Sequence, residues 1–238
     1  MWEEMRQIGR ELPGDVRVVV VRGEGRAFSA GLDLSAVSTT QSDSDSATGA
    51  ASSDGGKGFS FADLARSDDE VAVATLSGFQ EGFAWLRRPD LVSIAAVRGH
   101  AIGAGFQLAL ACDLRVLAED AQFSMAEVSL GLVPDLGGTK RLVELVGYAR
   151  AVDICLTGRR IGASEADGLG LATSVVPADD LDQTVADLVM QILTARRGAV
   201  IEIKALLAAA SSHSFAQQEA AERAAQLRRI RDLVGLGE

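Results

Sequence analysis

The chain has 238 residues, enough for one sizeable domain, and 47% of them are hydrophobic, so a substantial core can be buried. A formal net charge of −10 argues against a nucleic-acid or anionic-membrane surface. The two cysteines, Cys112 and Cys155, sit in apolar helical patterns without metal-ligand or redox spacing, so both read as small core residues and no metal site is expected.

The opening stretch MWEEMRQIGREL is charged and amphipathic rather than a secretory signal, and it sets Trp2, Met5, Ile8 and Leu12 on one helical face. VRVVVV (16–21) follows as a strand too continuously apolar to be half-exposed. A glycine-rich turn, GEGRAFSAGLDL (23–34), leads into a polar, low-complexity segment (38–58) that reads as a mobile insertion. Helical periodicity resumes at Leu76, Phe79, Phe83 and Leu86 and stops at Pro89. LVSIAAV (91–97) is a second buried strand, feeding into GHAIGAGFQLALACD (99–113). That apolar stretch is interrupted by Arg98, His100 and Gln107, too soon for a membrane span, and the expectation is a soluble, cytoplasmic protein.

DLRVLA (113–118) and QFSMAEV (122–128) read as short strands, SVVP (174–177) as another. Beyond Pro134 the pattern is otherwise helical, with Leu181, Val185, Leu188 and Ile192 on one amphipathic helix and residues 214–234 on the last. The class is therefore α/β, a core over 1–176 followed by a helical C-terminal region over 177–238.

The turn around Gly103 and Gly105 is not a dinucleotide fingerprint, because the third glycine would fall at Leu108, and no P-loop order occurs. What stands out is a pair of glycine turns, each leaving an apolar strand. In neighbouring parallel strands they would lie at one carboxyl edge, where two backbone N–H groups can converge on one oxygen. The other reading is two ordinary strand-to-helix turns that need glycine for space.

GRAFSAGLDL, GHAIGAGFQLALACDLRV and QFSMAEVSLGLVPDLGGTKRL, in this order and spacing, resemble the signature blocks of the enoyl-CoA hydratase/isomerase, or crotonase, superfamily. The similarity continues through ARAVDICLTGRRIGASEADGLGLATSVVP and so covers most of the chain. The resemblance implies a spiral of ββα units with a helical C-terminal trimerisation region, giving homotrimers or homohexamers, and an acyl-CoA thioester as substrate. It implies no cofactor beyond the coenzyme A of that substrate. By resemblance, the N–H groups of Leu32 and Ala104 form an oxyanion hole, the Ala30 carbonyl lies near the adenine, and Asp33, Leu34 and Gly103 belong to the CoA- and acyl-binding surface.

Two glutamates face the acyl group in the hydratases that this chain resembles. The second is present as Glu127; the first falls on Gln107, which can orient a group through its amide but has no proton to exchange near neutral pH. Asp135 matches an acid–base aspartate of the dienoyl-CoA isomerases, or is a turn or N-cap residue after Pro134. His100 and His213 read as structural or surface residues. The strand pair and Arg-Asn-Ala-Leu-like turn that open the resembled proteins are missing, as a mis-called start would produce. The expected function is hydration or double-bond isomerisation of an enoyl-CoA; the alternative is an acyl-CoA-binding protein of the same fold with attenuated catalysis.

Overall fold

Val92–Val97 is apolar at nearly every position because the strand that it forms is covered on both faces: all six residues are buried. This strand, β2, lies within a parallel sheet of order β1-β2-β4-β7, where β1 is Val18–Arg22, β4 Leu114–Ala118 and β7 Ser174–Val176. A smaller sheet joins β3 (His100–Ile102) in parallel to β5 (Gln122–Ser124), with β6 (Ile161–Gly162) antiparallel to β5. The structure is a computed structural model and describes residues 1–32 and 61–237. Asp33, Leu34 and the 38–58 segment lie outside the described residues.

Helices α1 (Trp2–Glu11), α2 (Phe61–Arg66) and α3 (Asp69–Ala84) precede β2, and α4 (Ala104–Ala111) connects β3 to β4. After β5 come α5 (Gly138–Val146), α6 (Tyr148–Thr157), α7 (Ala163–Gly168), α8 (Leu181–Thr194), α9 (Arg197–Ala210) and α10 (Phe215–Leu233). The units β2-β3-α4 and β4-β5-α5 each send their first strand to one sheet and their second to the other, which is the ββα spiral anticipated from the sequence. No helix among the described residues is long and apolar enough to cross a membrane.

Alternation along β2 and β4 divides the interior in two. Ala95, Val97 and Leu117 point into the main core with Phe83, Phe106 and Phe123; the Phe106 and Phe123 rings lie 4.7 Å apart. Ile94, Ala96, Val116 and Ala118 face the other way, against Leu181 and Val185 of α8. The first helix of the C-terminal region thus covers one face of the sheet. Lys204 of α9 anchors the next one, its Nζ donating to Asp113 Oδ2 and to the Leu91 carbonyl at 2.6 Å each.

Three local expectations change. Valine-rich β1 is not fully buried: Val20 and Arg22 are exposed and the other three residues intermediate. It is a terminal strand among the described residues, and hydrophobic patterning does not distinguish that position from a central one. QFSMAEV is not one strand, since β5 ends at Ser124 and Ala126–Leu130 form a 3₁₀ turn. The glycine turn after β2 contains β3, three residues too short to carry a periodic signal.

Arg115 on β4 is 6% exposed. Its Nε donates to the Leu171 carbonyl at 2.6 Å, and Nη1 to the Cys112 and Ala109 carbonyls at 2.8 and 3.4 Å. The cation therefore meets the carbonyl end of α4, where the helix dipole favours positive charge.

Candidate active site

The parallel pairing of β1 with β2 puts both glycine turns at one carboxyl edge. The first turn is stitched to the second strand layer: Phe28 N–H donates to the Arg98 carbonyl, Ser29 N–H to that of His100, and Ile102 N–H to that of Ser29. Gly31, at φ +87°, then passes so close that a Cβ would stand 2.5 Å from the Ile102 oxygen and 3.8 Å from Ala104 N. Only glycine satisfies both the dihedral and the space.

Gly103 precedes α4 at φ +52° and ψ −116°, and its N–H donates to the Ser124 carbonyl at 2.8 Å. Ala104 is the first residue of α4, so its N–H belongs to the opening set for which the helix itself supplies no acceptor. A Cβ on Gly103 would sit 3.3 Å from Glu127 Oε1, which sets that carboxylate directly against the start of the helix.

These residues line one cavity of about 760 Å³. Ala30, Leu32, Gly103, Ala104, Gln107, Glu127 and Asp135 all contribute to its wall, so the structure brings together every described residue that the resemblance assigned to the site. Asp33 and Leu34 are outside the described residues. Most of the remaining wall is apolar, with Trp2, Leu76 and Phe79 among its members. The sequence did not assign Trp2 to the site; its ring lies 5.8 Å from that of Phe79 and 5.3 Å from that of Phe83, and only the packing of α1 on α3 carries it there.

Glu127, on the 3₁₀ turn after β5, is 9% exposed. Gln107 Nε2 donates to its Oε1 at 2.7 Å, while Oε2 is buried with no hydrogen-bond partner among the described residues. Burial pushes its carboxyl above the ordinary range, the Gln107 amide pulls it down, and the charge of Asp135 adds to the rise. Asp135 is also raised, by burial. Asp135 does not cap α5: the N-cap is Gly137, with no side-chain cap bond, and Asp135 is among the residues that line the cavity. Gln80 Nε2 holds the Asp135 carbonyl at 2.7 Å.

The remaining candidates stay outside. Cys112 is buried in the core and its thiol is pushed up to about 12 by burial; Cys155 is half-buried and also raised by burial. His100 lies near Arg160, its Nδ1 3.1 Å from Nη1, and His213 near Gln218; neither borders the cavity. No cluster of three or more metal-ligating side chains occurs among the described residues. A buried carboxylate with one unpartnered oxygen, next to backbone N–H groups at a helix start, is an arrangement able to accept a proton close to donors for a negatively charged oxygen.

Comparison with known proteins agrees with this geometry. Residues 56–232 match the family model described as enoyl-CoA hydratase/isomerase. The chain is 34% identical over 167 residues to a Mycobacterium tuberculosis protein named for enoyl-CoA hydratase, covering 70% of this chain and 54% of that protein. It is 36% identical over 175 residues to the peroxisomal Delta(3,5)-Delta(2,4)-dienoyl-CoA isomerase of Arabidopsis thaliana, covering 73% and 58%. The chain thus spans little more than half the length of these relatives. Among solved structures, a Thermobifida fusca YX protein carrying an enoyl-CoA hydratase name, in complex with acetoacetyl-CoA, is similar at 47% identity and a TM-score of 0.87, over 98% of this chain and 85% of that one. Motifs, fold and cavity converge, and the chain belongs to the enoyl-CoA hydratase/isomerase family.

Proposed function

We propose that the chain moves a proton on an enoyl-CoA thioester, shifting its double bond. The observation that carries this reading is Glu127 Oε2, a buried and unpartnered carboxylate oxygen of a residue that lines an apolar cavity. The thioester oxygen would sit between the N–H groups of Leu32 and Ala104, each such donor worth roughly 10²–10³ in rate as charge gathers on it. Glu127 takes a proton from C2 of a 3-enoyl-CoA, the electron pair passes into an enolate, and the same proton returns to C4 as the 2-enoyl-CoA forms. Asp135 lines the same cavity, and its carboxyl is proposed to give or take a proton farther along a conjugated chain. Ala30 and Gly103 border the same space, and Asp33 and Leu34, outside the described residues, are proposed with them for CoA and acyl binding. The chemistry uses no cofactor besides the CoA carried by the substrate, and the acetoacetyl-CoA complex of the T. fusca relative supports an acyl-CoA occupant.

Isomerisation is preferred to hydration because the side chain beside Glu127 is an amide. Water addition in the two-glutamate pattern needs a second group that exchanges protons, and Gln107 does not. With the protein supplied first 3-hexenoyl-CoA and then crotonyl-CoA, the expected result is conversion of the former to its 2-enoyl isomer, with slower hydration of the latter. Saturable binding without turnover, and without exchange of C2 hydrogens in D₂O, would instead assign it as an acyl-CoA-binding protein.

The C-terminal helices are proposed to build a homotrimer or a pair of trimers. On and just after α10, Phe215, Leu227, Ile230 and Val234 are 90, 48, 46 and 63% exposed, apolar points that the described chain leaves uncovered. Light scattering at micromolar concentration is expected to give three or six times the chain mass; a stable monomer would reject the assembly.

A further inference from the structure

Gln107 is 1% exposed, and both ends of its amide are committed. Oε1 accepts from the Leu136 N–H at 2.8 Å and from the Gly138 N–H at 3.3 Å. Gly138 opens α5, and a Cβ there would stand 2.7 Å from Gln107 Cγ, so this helix start is shaped around the glutamine. Two N–H donors fix the amide orientation: turned over, its NH₂ would confront them donor to donor. The nitrogen must therefore face Glu127, where it meets Oε1 at 2.7 Å.

We propose that Gln107 is the positioning residue of the proton transfer, its amide holding Glu127 Oε1 so that Oε2 alone is left for the substrate. This rests on the reading of Glu127 as the proton carrier. A cap for α5 would account for the oxygen of Gln107 but not for the use of its nitrogen. Glutamate would not serve: with one oxygen on the two N–H groups, the other would lie against Glu127 Oε1, acceptor to acceptor, and the pair would have to share a proton. Methionine would fill the space and hold nothing. The amide joins an acceptor end facing the backbone to a donor end facing the carboxylate, and a single side chain thereby links α4, the loop after Pro134 and the 3₁₀ turn of Glu127.

The other titratable groups facing Glu127 are Asp135, whose charge raises its pKa, and the Cys155 thiol on α6, itself held neutral by burial. Neither changes in a Gln107→Met variant. Loss of the amide removes a donor to the ionised carboxylate, so the ascending limb of kcat/KM against pH is expected to move up by about one pH unit. With Glu127 free to turn, kcat is expected to fall about 10- to 100-fold, with KM changed much less. Gln107→Asn provides a second test if the methionine variant does not fold. One methylene short, an asparagine whose oxygen stays on the two backbone N–H groups no longer reaches Glu127, and the same limb shift with a smaller kcat loss is expected. A folded variant of either kind with kcat within twofold of the parent and an unmoved limb would overturn the proposal. Failure of the underlying reading has a separate signature, namely a parent protein that neither isomerises 3-hexenoyl-CoA nor exchanges C2 hydrogens.

Discussion

A Glu127→Gln variant is expected to lose about 10²–10⁴ in kcat, the range for removing a general acid–base group, while acyl-CoA affinity stays within a few-fold. The substitution is nearly isosteric. Gln107 Nε2 can still meet an oxygen at position 127, now an amide oxygen, so the geometry survives while the proton acceptor does not. Because burial raises the Glu127 pKa, the activity of the parent should climb with pH through a limb above the ordinary carboxylate value of about 4.3. That limb should vanish in the variant. Deuterium exchange at C2 of a saturated acyl-CoA in D₂O isolates the step, since it needs enolate formation and nothing later. A variant that keeps more than about a tenth of the parental exchange rate would remove Glu127 from the mechanism.

The second large effect is expected at a main-chain group. Ala104→Pro deletes the N–H proposed to bind the thioester oxygen and places the ring Cδ where its hydrogen pointed. Proline is well accepted at the first position of a helix, where no intrahelical bond is lost. The preceding Gly103 has ψ −116°, outside the α region that a following proline disfavours. Stability should therefore change little while kcat/KM falls by about 10²–10³ or more. Measured together, an unchanged melting temperature and a lost rate would localise the effect to the oxyanion. Retention of kcat/KM within tenfold in a folded variant would place the thioester oxygen elsewhere.

Much of this site was legible in the residues. β2 and β4 announce themselves by short, mostly apolar runs, and the glycines at 31 and 103 mark the two turns because no other residue takes their dihedrals in so little space. Glu127 and Asp135 were legible as candidates, although only the coordinates decide that Asp135 borders the cavity and leaves the helix start to Gly137. The partners of Gln107 were not legible. They are main-chain N–H groups 29 and 31 positions along the chain, and a backbone donor has no letter in a sequence. The exposure of β1 was hidden for a related reason: the same valines suit an edge or a centre, and tertiary pairing alone chooses.

The buried Arg115 has a consequence for how the molecule opens. Its guanidinium is shared among carbonyls of Ala109 and Cys112, at the far end of α4, and of Leu171, beyond α7. If either segment came away alone, a charge would be left in the interior without part of its shell, a penalty of several kcal/mol. The two are therefore fused into one cooperative unit that opens together or not at all. Because α4 begins at Ala104 and carries Gln107, the proposed oxyanion donor and the proposed holder of Glu127 share that protection. Under the proposed function, opening for an acyl chain would fall to other walls of the cavity, such as α1 and α3, with the edge at α4 tied to the sheet behind it.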